Sequence, residues 1–208
     1  MEEILQLDRQ LMLWMNYDGG TIADTFWWYV SQTWTWIPLY ALLIMILIRH
    51  CSPVRTNWRQ LVLLIVITAL VVVFADQISS GIIKPLVERP RPARPDSGIS
   101  DLIHTVRGYR GGHYGFVSSH AANTWGIALW FILLFRGWKK EGSFSSPLFI
   151  IIFSLFIFSI LNCYSRIYLG VHYPGDILGG LIVGTISALF CYYVLYKHGN
   201  NWLNQRKR

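Results

Sequence analysis

Residues 60–83, QLVLLIVITALVVVFADQISSGII, decide the fold class. Asp76 is the single ionisable side chain in this run, whose length is close to the roughly 20 residues a helix needs to cross a bilayer. Four further windows read the same way: 26–48, 147–164 and 176–196 are almost uncharged, and 119–136 has only His120 as an interruption before its terminal Arg136, with Trp125, Ile127, Leu129, Trp130, Phe131, Ile132 and Leu133 between them. With 53% hydrophobic residues and a mean hydropathy of +0.39, the composition sits above that of an ordinary soluble domain. The expectation is an all-α, multi-pass transmembrane helix bundle of about five spans, with residues 1–208 forming a single membrane-embedded domain.

Before the first window, Ile4, Leu7, Leu11, Trp14 and Met15 fall three or four apart, opposite Glu2, Gln6, Arg9 and Gln10. That spacing predicts an amphipathic helix, lying in the interface plane or packed on the bundle. The start, with Glu2 and Glu3, lacks the basic region, apolar region and small-residue site of a cleaved signal peptide. Cys51, Cys163 and Cys191 make no CxxC pair and no metal-ligand cluster.

The formal charge of +7 could point to nucleic acid, but in a bilayer protein it is read as topogenic loops and attraction to anionic headgroups or phosphates. With five spans the loops alternate sides. One face receives Arg49, Arg55, Arg59, Arg136, Lys139, Lys140, Lys197, Arg206, Lys207 and Arg208, close to span ends, as the positive-inside rule expects. On the other face Lys84, Arg89, Arg91, Arg94, Arg107, Arg110 and Arg166 are interleaved with His104, His113, His120, His172 and Asp176. Chemistry is expected there, outside the cytoplasm, in a protein of the cell (inner) membrane.

Three segments concentrate it: KPLVERPRP (84–92), VSSH (117–120) and SRIYLGVHYPGD (165–176). In the first, Lys84 ends a span, and Pro85, Pro90 and Pro92 hold the chain extended. Lys84 and Arg91 read as a phosphate clamp, since arginine gives bidentate bonds to phosphate oxygens and lysine a point charge, or as a snorkelling rim. In the second, Ser118 or Ser119 caps a helix starting near His120, aiming backbone N–H groups at an anion; His120 is placed to act as general acid. In the third, His172 and Asp176 flank a Pro174-Gly175 turn. The carboxylate can fix the imidazole tautomer and leave one ring nitrogen free to attack, while Arg166 joins Lys84 and Arg91 around the phosphoryl oxygens.

The pattern K-x6-R-P (Lys84, Arg91, Pro92), S-x-H (Ser118, His120) and S-R-x5-H-x3-D (Ser165, Arg166, His172, Asp176) resembles the type 2 phosphatidic acid phosphatase superfamily, which includes the vanadium haloperoxidases. The resemblance covers roughly residues 60–196. It implies a lipid phosphatase with His172 as the nucleophile forming a phosphohistidine, Asp176 as its orienting partner and His120 protonating the leaving group. It further implies Lys84, Arg91, Ser118, Ser119 and Arg166 as phosphate ligands, with no metal and no cofactor. The implied substrates are undecaprenyl diphosphate, lipid A at its 1- or 4′-phosphate, phosphatidylglycerol phosphate and phosphatidic acid, with the envelope lipids ranked first by analogy.

Two departures stand out. The family's P-S-G-H motif here has Val117 for proline and Ser119 for glycine. Many members also have six spans, so the chain is expected to start at the interfacial segment following a missing first span, with its N-terminus outside. Two other functions are weighed: a silent lipid-binding or transport protein, which would be expected to lose His172, His120 or Asp176, and a vanadate-dependent haloperoxidase, which the spans disfavour. The expected partners are a phosphorylated membrane lipid and the bilayer, and no nucleic acid. Asp76 is expected to serve as a structural polar partner for Lys84 or a neighbouring span, and the glycine-rich 108–115 as a lid or connector. His104 is expected to be a solvated loop residue; Arg89, Arg94, Arg107, Arg110 and His113 are either headgroup contacts or loop residues.

Overall fold

A computed structural model describes residues 2–51, 58–138 and 146–199. The linkers and tail carrying Arg55, Lys139, Lys140, Arg206, Lys207 and Arg208 lie outside the described residues. The described chain is helical, in the order α1 (Glu2–Met15), α2 (Gly20–Val30), α3 (Ile37–Cys51), α4 (Trp58–Val87), α5 (Ser119–Trp138), α6 (Ser146–Tyr168) and α7 (Pro174–Gly199). A single isolated β-bridge, Pro90 with Tyr114, is the only strand pairing among the described residues.

The helices are inside out relative to a soluble bundle. On α7, Leu178, Ile182 and Ile186 form an exposed i, i+4 stripe, while Gly180, Val183, Gly184 and Ser187 face inward and are buried. An apolar outer surface is what hydrocarbon surroundings accept, and small inward residues let helices approach closely. At Gly184 a side chain would meet the Ala122 carbonyl of α5. Polar side chains bridge helices as well: Trp130 Nε1 donates to Thr68 Oγ1 on α4 at 2.9 Å and Trp125 Nε1 to Thr185 Oγ1 on α7 at 2.8 Å.

By length and composition α4, the Phe149–Tyr168 part of α6 and α7 can cross a membrane; α2 with the chain from Thr33 to Arg49 adds a fourth span if the pair is counted as one. The window 26–48, expected as a single span, is instead broken, with a bend of 69° between α2 and α3. The chain there passes through a 3-10 turn at Thr33–Trp36, and Thr35 Oγ1 and Trp36 Nε1 donate back to the carbonyls of Tyr29 and Val30. These side chains satisfy backbone acceptors that a break would otherwise orphan. Helix α5, expected as a span, falls below the same criterion. It is the central helix: Ala121, Ala122, Ala128, Trp130 and Leu134 are 0% exposed, packed against α4, α6 and α7. Enclosed by protein, it needs no continuous apolar surface.

Helix α1 packs on the bundle along one face. Ile4, Leu7 and Trp14 are exposed, yet Met12 is buried in a cluster with Ala93, Ile103, Ala121, Ile167, Tyr173 and Ile177. At its end Asn16 Nδ2 donates to the carbonyls of Ile167 and Tyr168, closing acceptors that the α6 terminus leaves open.

Candidate active site

Backbone hydrogen bonds gather the connecting segments at one end of the bundle. Gly115 N donates to Arg89 O within the α4–α5 loop, while Ala93 N donates to Gly170 O and Ser118 N to Asp176 O, tying that loop to the α6–α7 loop and the first turn of α7. All three sequence segments therefore converge.

Lys84 does not end the helix as expected. A wide π turn, Gln77–Ile83, precedes a further α-helical turn, Lys84–Val87, which closes at Glu88 with a left-handed φ of 50°. Relaxing the backbone to i→i+5 spacing just before Pro85 makes room for its ring inside a helix that would otherwise break. Lys84 Nζ then reaches Ser119 Oγ at 2.7 Å and Ser80 Oγ at 3.4 Å, and the two serine hydroxyls lie 2.8 Å apart. Ser80 also donates to Asp76 Oδ1 at 3.4 Å. Asp76 thus connects to Lys84 through Ser80, within the structural role expected for it.

Ser118 is fully buried before the first turn of α5, with its Oγ 3.4 Å from Ala121 N, the N3-type contact of a capping serine. His120, on that first turn, lines a cavity of about 300 Å³ with Ser31, Tyr40, Asn123, Thr124 and Asn162.

His172 is 2% exposed and Asp176 0%. Asp176 Oδ2 lies 3.4 Å from His172 Nδ1 and accepts from Tyr173 N at 3.0 Å. With Nδ1 turned to the carboxylate, Nε2 is left for chemistry. Burial, together with the charges of Arg91, Arg166 and Lys84, holds the His172 ring well below the usual imidazole range, so it is neutral at physiological pH. Arg91 Nε donates to Tyr114 O at 3.0 Å; burial and Arg166 push the Arg91 guanidinium down to about 10, which leaves it charged. Arg166 donates to Ser31 Oγ at 2.8 Å and weakly to Tyr109 OH at 3.4 Å, while its buried Nε has no partner among the described residues. Cations packed together out of water, with donor capacity unspent, need an anion.

Of the residues left open by sequence, Arg89 goes to Asp176 Oδ1 at 2.9 Å and to Asp8 Oδ2 at 2.7 Å. Arg94 pairs with His113 at 2.9 Å, and Arg107 stacks on Trp28. His104 is not a free loop residue: its ring meets Asp24 at 2.8 Å, a carboxylate that also accepts from Tyr168 OH. Sequence reasoning missed Asp8, Ser31, Ser80 and Tyr109 altogether. Asp8 had one available signal, since it stands four residues before Met12 on the face that packs inward.

This arrangement, a histidine–carboxylate pair with a second histidine and the cations Lys84, Arg91 and Arg166 close by, has the groups that phosphoryl transfer in a membrane bundle requires. The profile of the PAP2 superfamily matches residues 58–200, and the chain belongs to that superfamily as a membrane lipid phosphatase. It is 36% identical over 201 residues to a lipid A 4′-phosphatase of Bacteroides thetaiotaomicron, covering 95% of this chain and 80% of the relative. A lipid A 4′-phosphatase of Porphyromonas gingivalis is 32% identical, with 98% and 79% covered. A putative undecaprenyl-diphosphatase of Escherichia coli is 32% identical over 64% of this chain and 57% of its own length. The crystal structure of Aquifex aeolicus LpxE shares the fold, with a TM-score of 0.58 at 22% identity over 89% of this chain and 94% of that one.

Proposed function

We propose that residues 1–208 act as one domain that removes a phosphate monoester from the sugar headgroup of a lipid A-type glycolipid, at the outer face of the cell (inner) membrane. The observation that carries this reading is the convergence of His172, Asp176 and His120 with Lys84, Arg91 and Arg166 at one end of the bundle. In the first step His172 Nε2 attacks phosphorus; the N–P bond forms as the bond to the lipid oxygen breaks, and His120 gives that oxygen its proton. In the second, water attacks the phosphohistidine, its proton passes to His120, the N–P bond breaks and inorganic phosphate leaves. Lys84, Arg91, Arg166, Ser118 and the Ser119 backbone hold the phosphoryl oxygens throughout, stabilising the charge that spreads over them.

The lipid end of the substrate has a path. The polar cavity beneath His120 shares Tyr40, Val72 and Ile127 with an apolar groove of about 270 Å³ between α3 and α4, lined also by Leu43, Leu47, Ala69 and Phe131. Phosphate, polar linkage and acyl chain would then follow in the order in which cation ring, polar cavity and apolar groove occur. Lipid A 4′-phosphate is favoured among the candidate phosphorylated lipids by the two relatives that match nearly the whole chain.

The test is phosphate release by detergent-purified protein from lipid A, undecaprenyl diphosphate, phosphatidylglycerol phosphate and phosphatidic acid, with His172→Ala in parallel. Release from lipid A with loss of the 4′-phosphate by mass spectrometry, absent in the variant, is expected. Preference for another lipid would overturn the substrate, and equal release by His172→Ala would overturn the mechanism.

A further inference from the structure

We infer that Asp8, on α1, is a positioning residue for the reaction, acting through Arg89 and the Pro174-Gly175 turn on the Asp176–His172 pair. The inference rests on the reading of His172 as nucleophile. A fully buried carboxylate such as Asp176 is costly unless its oxygens are paired. Its Oδ2 serves His172 Nδ1 and Tyr173 N, and its Oδ1 accepts from Arg89 Nη1 at 2.9 Å. The other arm of the Arg89 fork, Nη2, is held at 2.7 Å by Asp8 Oδ2, and Asp8 Oδ1 accepts from Gly175 N, also at 2.7 Å. One side chain of α1 therefore grips both the cation that faces Asp176 and the turn that carries it. Arg89 is also fixed from above, its guanidinium carbon 3.8 Å from the centre of the Tyr173 ring.

Space at the turn is cut to fit this contact. A Cβ at position 175 would lie 2.7 Å from Asp8 Oδ2, so glycine there admits the carboxylate. With both arms of its fork committed to carboxylates, Arg89 is withdrawn from the phosphate cations and does the work of orientation instead. The plane of the Asp176 carboxylate, and with it the direction of the His172 ring, is set by a residue far away in sequence on a helix that contributes no group to the reacting atoms. Asn16 fastens the other end of α1 to the Ile167 and Tyr168 carbonyls and to the backbone of His104, so that α1 braces both sides of the loop bearing His172.

The experiment compares kcat and KM of the detergent-purified full chain for the parent, Asp8→Asn, Asp8→Glu, Arg89→Gln and the Asp8→Asn/Arg89→Gln double variant, with His172→Ala as the control on the underlying reading. A residue that orients the nucleophile without touching substrate lowers kcat and spares KM. Asp8→Asn is expected to lower kcat about tenfold with KM within about twofold, Asp8→Glu to recover most of the loss, and the double variant to be no slower than Arg89→Gln alone. Should Asp8→Asn fail to fold, Asp8→Glu and Arg89→Lys make the same comparison, since a lysine reaches only one of the two carboxylates. Parental kcat in Asp8→Asn, losses that multiply in the double variant, or a change confined to KM would overturn the inference. In each of those cases an inactive His172→Ala would leave the nucleophile standing.

Discussion

Lys84 Nζ donates to Ser119 Oγ at 2.7 Å, across the gap between the end of α4 and the start of α5. The hydroxyl exists only because serine occupies the position where the family motif carries glycine. Ser80 supports it from the π turn at 2.8 Å, so the departure in the second motif is matched by a partner next to the first. Ser119→Gly removes this anchor without filling space. A hydrogen bond to a charged group contributes about 1.5–3 kcal/mol, and Ser80 at 3.4 Å retains part of it. The expected outcome is a KM raised about fivefold, equivalent to ~1 kcal/mol, with kcat changed much less, in steady-state kinetics on the lipid substrate.

Asp176→Asn keeps the volume beside His172 but presents Nδ1 with a neutral amide and leaves Arg89 with only one of its two carboxylate partners, Asp8. By analogy with the loss of a triad carboxylate, kcat is expected to fall by on the order of 10²–10⁴. Rapid acid-free quenching with a labelled phosphate donor should show slower phosphohistidine formation, not slower breakdown alone. Parental burst kinetics in this variant would separate Asp176 from the nucleophile.

His172 also makes stability depend on pH, with a sign fixed by the direction of its shift. Its folded value is held well below 6.5 by burial and by Arg91, Arg166 and Lys84, so below pH 6.5 the unfolded chain takes up a proton that the folded chain refuses. Stability from this group is therefore fully present above about pH 6.5 and is lost as pH falls below it. Thermal unfolding midpoints measured from pH 7.5 to 5 should decline more steeply for the parent than for His172→Gln. Equal slopes would show that the ring is not held neutral.

Much of this was legible before any coordinates. The convergence of 84–92, 117–120 and 165–176 could be read because each motif sits at the end of an apolar run, and the alternation of loops puts such ends together. What escaped the sequence depends on backbone detail or on distant pairing. The π turn that carries Lys84 one turn further along its helix has no composition signal beyond Ser79, Ser80 and Gly81. The break between α2 and α3 is sealed by Thr35 and Trp36, which look like interfacial residues in a hydropathy window. Asp8 passes unremarked in the sequence, since an acid on an amphipathic helix is ordinarily solvated, and only the fold brings Arg89 and Gly175 to it. Helix α5 was read as a span from its apolar residues, although its burial by neighbours is what makes its polar first turn tolerable.

The groove between α3 and α4 offers a way to test where the lipid lies without touching the phosphate site. Ala69 lines it on α4 together with Leu43 and Leu47 of α3, and Ala69→Phe would place an aromatic ring within a space of about 270 Å³. An acyl chain displaced from the groove enters surrounding hydrocarbon and loses packing contacts rather than burial from water, so KM for a long-chain lipid is expected to rise severalfold. A short, water-soluble phosphomonoester has no chain to displace, and its kcat/KM should stay within about twofold of the parent if binding there is governed by the cation ring alone. A parallel loss on both substrates would mean that the ring at position 69 disturbs the bundle, whereas no loss on either would place the acyl chain elsewhere on the protein surface.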